Sequence, residues 1–309
     1  MDVSELFDPE IAARLAAVPF PPIGEDNYLT FRGGSARPAL SDAVERSDHV
    51  VAADPPVSVR VHRPRGADGP APCVYSIHSG GYVIGSYDID DVLFDRWCPM
   101  FGIVGVSVEY RLAPETPYPG ALDDCYAGLL WTFRNADELG IDADAIGVLG
   151  VSGGGGLAAA LALVARDLGE TPLAFQLLDC PMLDDRQQTP SSRVEGMPIW
   201  SRESNSFGWR SYLGELYGTD RVPFTAAPAR ATDLAGLPPA LVSVGALDGF
   251  RDEDIAYAQR LMQAGVPTEL HVYPGLPHGV QLFTDAAVVK RAVRDREDWL
   301  GRQITRRQS

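Results

Sequence analysis

The chain has few basic residues for its length. Among its 309 residues, 26 are Lys or Arg and 42 are Asp or Glu, which gives a formal net charge of -16 and a pI near 4.6. Such a surface repels phosphate backbones and anionic lipid. Nucleic acid is therefore a poor partner, and we expect none.

Long apolar segments and paired cysteines are also missing. No stretch approaches the roughly 18 consecutive apolar residues of a membrane span, and the acidic start Met1–Glu5 lacks the basic residues and apolar run of a signal peptide. The cysteines form neither a C-x-x-C pair nor a zinc-type spacing; they are Cys73, Cys98, Cys125 and Cys180. These absences predict a cytoplasmic protein with free, buried thiols.

What is present is a globular composition, with 45% apolar and 22% charged residues. Short apolar runs alternate with helical patterns, which is typical of a mainly parallel sheet flanked by helices. The predicted strands are Cys73–Ile77, Ile103–Val108, Ala145–Leu149, Leu173–Leu178, Ala240–Val244 and Glu269–Tyr273, with Val57–Pro64 as an antiparallel edge. The predicted helices are Pro9–Ala17, Asp88–Pro99, Gly120–Ala136, Gly153–Leu168, Asp252–Ala264 and Ala286–Leu300.

Two regions interrupt this alternation. Residues 1–45 contain one short helix pattern and Pro-rich chain, and residues 186–220 contain no strand pattern. The second region concentrates bulky side chains, namely Met197, Trp200, Phe207, Trp209, Tyr212 and Tyr217. A helical insertion beside strand ends is the usual place for a lid over a pocket, although these aromatics could also serve only to pack the insertion onto the core.

The strongest local signal is the G-x-S-x-G sequence from Gly150 to Gly154, which lies between an apolar strand and an alanine-rich helix. This is the context of a nucleophile elbow, where a tight strand-to-helix turn presents the Ser152 hydroxyl above the sheet. The helix N-terminus adds free N–H groups and a partial positive charge. A glycine-rich turn that only packs a helix against a strand is the alternative.

A serine nucleophile requires a base and a group that orients the base. Asp248 follows the predicted strand Ala240–Val244, and His278 follows Glu269–Tyr273. The order Ser152, Asp248, His278 is the order found in α/β-hydrolases. Because the carboxyl ends of parallel strands meet at one edge, we expect these three side chains to form a catalytic triad.

The loop after the first core strand supplies candidate donors for an oxyanion. His78-Ser79-Gly80-Gly81-Tyr82 lies where an H-G-G-G-type motif belongs, and its glycines allow backbone N–H groups to turn inward. We predict that the amides of Gly80, Gly81 and Gly153 form the oxyanion hole.

Together with three further segments, these motifs resemble the hormone-sensitive-lipase family of α/β-hydrolases. The segments are Glu109–Glu115 (EYRLAPE), Pro117–Asp124 (PYPGALDD) and Asp248–Glu253 (DGFRDE), the last similar to the family's D-P-L-R-D-E. The resemblance runs from about residue 50 to the C-terminus. It implies an α/β-hydrolase fold with a helical cap, and a serine carboxylesterase acting on short to medium acyl esters through Ser152, His278 and Asp248.

The chain departs from the family pattern at four positions. Ser79 stands in place of the first motif glycine, and around the nucleophile Val151, Gly153 and Gly156 replace an acid, an alanine and an asparagine. Because Gly153 lacks the alanine methyl, we infer a roomier or more mobile acyl site with an atypical substrate preference.

From these features we divide the chain into an N-terminal cap segment (1–45), a first core part (46–185), a second cap segment (186–220) and a second core part (221–309). The candidate substrate contacts are Tyr82, Val151, Trp200, Phe207 and Phe250, and Tyr82 could equally pack under the cap. No cofactor fingerprint is present, and no metal is expected. Asp88, Asp90 and Asp91 suit helix capping better than a cation site.

The sequence thus predicts a carboxylic ester hydrolase with a small-molecule ester substrate. An amidase or peptidase acting through the same triad is a second interpretation, and a silent ligand receptor on this fold is a third, from a different class. The resemblance also allows a homodimer.

Overall fold

An eight-stranded sheet organises the chain in a computed structural model, which describes residues 3–32, 39–279 and 283–305. The strands are ordered β1-β2-β4-β3-β5-β6-β7-β8. The pairs β1–β2 and β2–β4 are antiparallel, and every pair from β4 onward in this order is parallel. They are β1 Val44–Val51, β2 Val57–Pro64, β3 Ala71–Ile77, β4 Val104–Glu109, β5 Ile141–Val151, β6 Gln176–Asp179, β7 Ala240–Leu247 and β8 Thr268–Pro277. The fold is the predicted α/β-hydrolase fold.

Helices cover both faces of this sheet because its inner strands are apolar on both sides. They are α1 Pro9–Leu15, α2 Asp91–Phe101, α3 Gly120–Arg134, α4 Ala136–Leu139, α5 Gly153–Leu168, α6 Arg202–Leu213, α7 Arg251–Gln263 and α8 Ala287–Thr305. No helix within the described residues is long and apolar enough to span a membrane. All four cysteines are free and buried, as predicted.

The antiparallel end of the sheet differs from the prediction. Val57–Pro64 is antiparallel, but it lies between β4 and β1 and is therefore not the edge. The outer strand β1 was missed because its sequence, VERSDHVV, is mostly polar, and only its terminal valines are buried. An outer strand needs few apolar residues, so its pattern carries little signal.

The start of α2 also differs from the prediction. A 3-10 turn occupies Tyr87–Asp90, the helix begins at Asp91, and the Asp90 side chain makes no capping hydrogen bond. Asp90 is buried instead, and burial raises the pKa of its carboxyl to about 7. Asp91 pairs with Arg60 and His62, each at 2.9 Å. The capping prediction for Asp90 is wrong because its carboxyl turns into the core.

The two irregular regions contact each other. The 3-10 turn Tyr28–Phe31 meets α6, where the rings of Tyr28 and Phe207 lie 5.6 Å apart. Nearby, the Ile23 amide donates to the Ser204 hydroxyl at 2.9 Å. Residues 1–2 and 33–38 of the predicted N-terminal cap segment, and residues 280–282 and 306–309 of the second core part, lie outside the described residues.

Candidate active site

Ser152 occupies a tight turn between β5 and α5. Its φ of 57° and ψ of -121° lie in a region that non-glycine residues seldom adopt, which is a mark of stored strain. The flanking glycines allow close passage: a Cβ on Gly150 would lie 2.1 Å from the Gly154 oxygen, and one on Gly154 would lie 2.1 Å from the Ile77 oxygen. The G-x-S-x-G sequence is thus required by backbone proximity, as in a nucleophile elbow.

The structure brings the three predicted triad residues together. Ser152 Oγ lies 2.9 Å from His278 Nε2, and His278 Nδ1 lies 2.7 Å from Asp248 Oδ2. All three side chains are buried, at 4%, 7% and 2% exposure for Ser152, His278 and Asp248. This arrangement allows a proton to pass from the hydroxyl to the imidazole while the carboxylate holds the ring.

The pairing of β7 with β8 explains how two distant segments meet. Leu247, the last residue of β7, pairs with Pro277, the last of β8, so Asp248 and His278 leave the sheet side by side. The second carboxylate oxygen, Asp248 Oδ1, accepts from the Phe250 amide at 2.9 Å. The carboxylate is thereby fixed by one backbone and one side-chain donor.

The predicted oxyanion loop lies directly against the nucleophile turn. Gly80 and Gly81 have φ angles of 132° and 55°, which favour glycine. A Cβ on Gly153 would lie 2.9 Å from the amide nitrogens of both Gly81 and Tyr82. The Gly81 amide is therefore next to Gly153, and the Tyr82 amide, which sequence reasoning missed, lies equally close.

This proximity argues against the roomier acyl site inferred at Gly153, whereas a more mobile site and an atypical substrate preference stay predictions. The family's alanine methyl would approach the backbone of Gly81 and Tyr82 at 2.9 Å, closer than real Cβ atoms come. The volume freed by the missing methyl is filled by the oxyanion loop. The departure at Gly153 thus tightens the contact between loop and helix.

The space beside Gly156 is also filled by atoms of neighbouring segments. Tyr82 donates its hydroxyl to the Met182 carbonyl at 3.0 Å, and a Cβ on Gly156 would lie 2.5 Å from that hydroxyl. The Met182 amide in turn donates to the Ser152 carbonyl at 3.0 Å. The backbone of Met182 thus links Tyr82, the residue after the two loop glycines, to Ser152.

The side chain of Tyr82 packs beneath the insertion. It is 1% exposed, and its ring stacks on Tyr212 with centroids 4.1 Å apart and lies 5.3 Å from Trp209. Of the two interpretations offered for this residue, the structure favours packing under α6 over lining the pocket.

The other four candidate substrate contacts lie at different distances from the triad. Trp200 lies over Gly81, where a Cβ would come within 2.0 Å of the indole, and its ring is 6.4 Å from that of His278. The rings of Phe250 and His278 form a T-shaped contact with their centroids 5.1 Å apart. Phe207 contacts the N-terminal region, and Val151 is half-buried at the end of β5. Trp200 and Phe250 thus border the imidazole of His278.

One residue beside the triad was missed altogether. Cys180 follows β6, has a φ of 42°, and places its Sγ, an Asp248 carboxylate oxygen and a His278 ring nitrogen all within 4.8 Å of one another. Burial and the carboxylates of Asp179, Asp248 and Asp254 raise the pKa of its thiol well above the ordinary value. Among the described residues this is the group whose donors could hold a metal ion. The only sign of it in the amino-acid sequence is a cysteine near the end of a predicted strand.

Comparison with known proteins agrees with this geometry. Residues 74–282 match a family model described as the α/β hydrolase fold. The chain is 38% identical to esterase LipI of Mycobacterium tuberculosis over 72% of this chain and 71% of the relative, and 39% identical to carboxylesterase NlhH of the same species over 74% and 72%. A solved structure titled bacterial heroin esterase superposes with a TM-score of 0.92 at 40% identity, covering 98% of this chain and 99% of that one.

These names agree with the predicted class of enzyme, a carboxylic ester hydrolase. The match covers most of the chain and includes every segment on which the resemblance was based. The chain belongs to the hormone-sensitive-lipase family of α/β-hydrolases.

Proposed function

We propose that this carboxylic ester hydrolase is a serine carboxylesterase that cleaves short to medium acyl esters through Ser152, His278 and Asp248. The observation that carries the proposal is the hydrogen-bonded series from Ser152 Oγ through His278 to Asp248, at 2.9 and 2.7 Å. The names of the relatives support the ester class of substrate.

In the first half-reaction, His278 Nε2 takes the Ser152 proton as Oγ attacks the ester carbonyl carbon. Asp248 holds the ring through Nδ1 and stabilises the imidazolium. The carbonyl oxygen becomes negative and is stabilised by the amides of Gly80, Gly81 and Gly153, each donor being worth roughly 3–4 kcal/mol in comparable sites. His278 then returns the proton to the leaving alcohol, which leaves an acyl group on Ser152.

Water repeats the sequence in the second half-reaction. His278 removes a proton from water as its oxygen attacks the acyl carbon, and Ser152 regains the proton when the carboxylic acid leaves. The cycle needs no cofactor, because every proton and bond is handled by these side chains.

We further propose that the described parts of residues 1–45 form a cap over the site together with residues 186–220. The Tyr28–Phe207 and Ile23–Ser204 contacts join the two segments, and Trp200 lies over an oxyanion glycine. Within this proposal Trp200 and Phe250 contact the substrate, whereas Phe207 and Val151 act at the rim. A homodimer and a cytoplasmic location stay predictions, and sedimentation of the purified chain tests the first.

Labelling with a fluorophosphonate tests the nucleophile. We expect one label per chain, found by mass spectrometry on the peptide containing Ser152 and absent from Ser152→Ala. A silent receptor predicts no labelling. If the label appeared on another residue, the assignment of Ser152 would be wrong.

A matched set of substrates tests the chemistry. We expect p-nitrophenyl esters from acetate to octanoate to be hydrolysed, with the rate falling for the longer acyl chains. The corresponding anilides separate the esterase from an amidase or peptidase, which predicts comparable turnover of both.

A further inference from the structure

Cys180 stands beside the triad without a role in the proposed reaction. The residue is 2% exposed, and its amide donates to the Ser243 carbonyl at 2.6 Å, which fixes its backbone against β7. Its sulfur belongs to a compact group of three donors with an Asp248 oxygen and a His278 nitrogen. Sulfur, nitrogen and oxygen in one buried group form a donor set typical of Zn²⁺ sites.

Two further carboxyl groups lie close to this group of donors. Asp179 and Asp254 lie near enough to Cys180 to act on its thiol, together with Asp248. Asp254 is wholly buried, and neither of its carboxylate oxygens has a hydrogen-bond partner in the part of the chain that the structure describes. Arg296 neutralises Asp179 at 3.2 Å, but no such partner is found for Asp254 among those residues. Burial raises the pKa of the Asp254 carboxyl well above its ordinary value, so this group contributes a protonated carboxyl near the sulfur and not a negative charge.

The distances between the three donors are close to those in a zinc site but would have to change when the metal binds. Donors around a tetrahedral zinc lie about 3.3–3.8 Å apart, since zinc holds sulfur at about 2.3 Å and nitrogen or oxygen at about 2.0–2.2 Å. The three donors here lie within 4.8 Å of one another, and the Asp248–His278 pair is at 2.7 Å. Binding would therefore draw the sulfur inward and open the hydrogen bond between carboxylate and imidazole.

We propose that Cys180, Asp248 and His278 form a latent Zn²⁺ site whose occupation inhibits the enzyme. The thiol releases one proton to solvent as its sulfur binds the ion, water fills the fourth position, and no electron is transferred. Zinc on His278 Nε2 would occupy the lone pair that accepts the Ser152 proton, and zinc on Nδ1 would break the bond to Asp248. Inhibition rests on the proposed function, but metal binding does not.

The test is Zn²⁺ binding by the full-length chain, measured by calorimetry, with Co²⁺ as a spectroscopic probe. We expect one tight site in the wild type, a thiolate-to-cobalt charge-transfer band, and loss of ester hydrolysis at the same Zn²⁺ concentration, reversed by EDTA. Cys180→Ser should weaken binding by at least about tenfold and remove the band. Cys125→Ser, which changes another buried thiol, should leave both as in the wild type.

Several results would overturn the site. If the wild-type chain showed no thiolate-to-cobalt band at saturating Co²⁺, the proposed site would be wrong. This measurement uses the unaltered chain, so it does not depend on the folding of a variant. Equal binding by Cys180→Ser and wild type would place zinc elsewhere, for example on the acidic surface. Zinc binding with a thiolate band in a chain that hydrolyses no ester would instead contradict the proposed function and leave the metal site standing.

Discussion

The two sides of the active site are held in place by different means. On the acid–base side, Asp248 and His278 follow paired strands, and backbone and charged groups fix their positions. On the oxyanion side, the loop is pressed between the nucleophile turn and the aromatic insertion, with Trp200 over Gly81 and Tyr212 against Tyr82.

We therefore expect the two sides to affect catalysis differently. In the proposed mechanism the sheet determines whether the proton can move, since a strand register places both Asp248 and His278. The insertion would determine how closely the proposed oxyanion donors approach, because its side chains pack on the loop. Changes on the sheet side should therefore abolish turnover, and changes on the insertion side should reduce it by degrees.

Asp248→Asn should have the largest effect. The amide cannot hold the imidazole in the tautomer that accepts the Ser152 proton, so kcat should fall by about 10³- to 10⁴-fold. Steady-state kinetics on a p-nitrophenyl ester measure the loss. Asp254→Asn is the matched control, as it changes a nearby buried carboxyl that makes no hydrogen bond to His278, and it should retain kcat within about threefold. Equal losses in both variants would show that any change of a buried carboxyl near His278 lowers the rate, and that the bond between Asp248 and His278 has no special part in it.

Gly153→Ala should have an intermediate effect. The new methyl would lie 2.9 Å from backbone atoms of Gly81 and Tyr82, so the loop must retreat and its donors move away from the oxyanion. We expect kcat to fall by roughly 10- to 100-fold, part of the loss seen when one donor is deleted, together with an altered acyl-length profile.

Gly301→Ala is the control for helix propensity. This glycine also lies in a helix, and its added methyl meets only Phe101 at an ordinary 3.6 Å. It should leave kcat unchanged. If Gly153→Ala kept the kcat and the acyl-length preference of the wild type, the loop could move away without affecting catalysis. The insertion would then not hold the loop in place.

The positions of Asp248 and His278 could be predicted from the sequence because short local motifs indicate them. A turn that needs small residues, and polar groups directly after apolar strands, appear in the chain as motifs around Ser152, Asp248 and His278. The proximity of Cys180 to Asp248 arises from the pairing of Asp179 with Ser243, which no local pattern reveals. The filling of space at Gly153 and Gly156 likewise depends on loops that are distant in sequence. Packing between segments that are distant in sequence could therefore not be predicted from the sequence.

Tyr82→Phe should have a smaller effect. It removes the hydroxyl that binds the Met182 carbonyl, which should lower the free energy of unfolding by about 1–2 kcal/mol and reduce kcat a few-fold with little change in KM. Tyr212→Phe is the matched control, because that stacked hydroxyl has no hydrogen-bond partner within the described residues. Denaturant unfolding and kinetics on both variants make the comparison. If the two behaved alike, ring stacking alone would hold the loop.

Asp90→Asn should have the smallest effect on catalysis and act only on stability. Burial raises the pKa of this carboxyl to about 7, so the folded chain keeps a proton that the unfolded chain releases above about pH 4. The contribution of Asp90 to the free energy of unfolding of the wild type should therefore decline as the pH rises from about 4 to about 7. Above that range it should stay constant. The asparagine cannot ionise, so at pH 8 the variant should be more stable than the wild type by up to about 4 kcal/mol, with a smaller advantage at pH 5. Urea unfolding at both pH values measures this, and an advantage independent of pH would mean that Asp90 is already ionised in the fold.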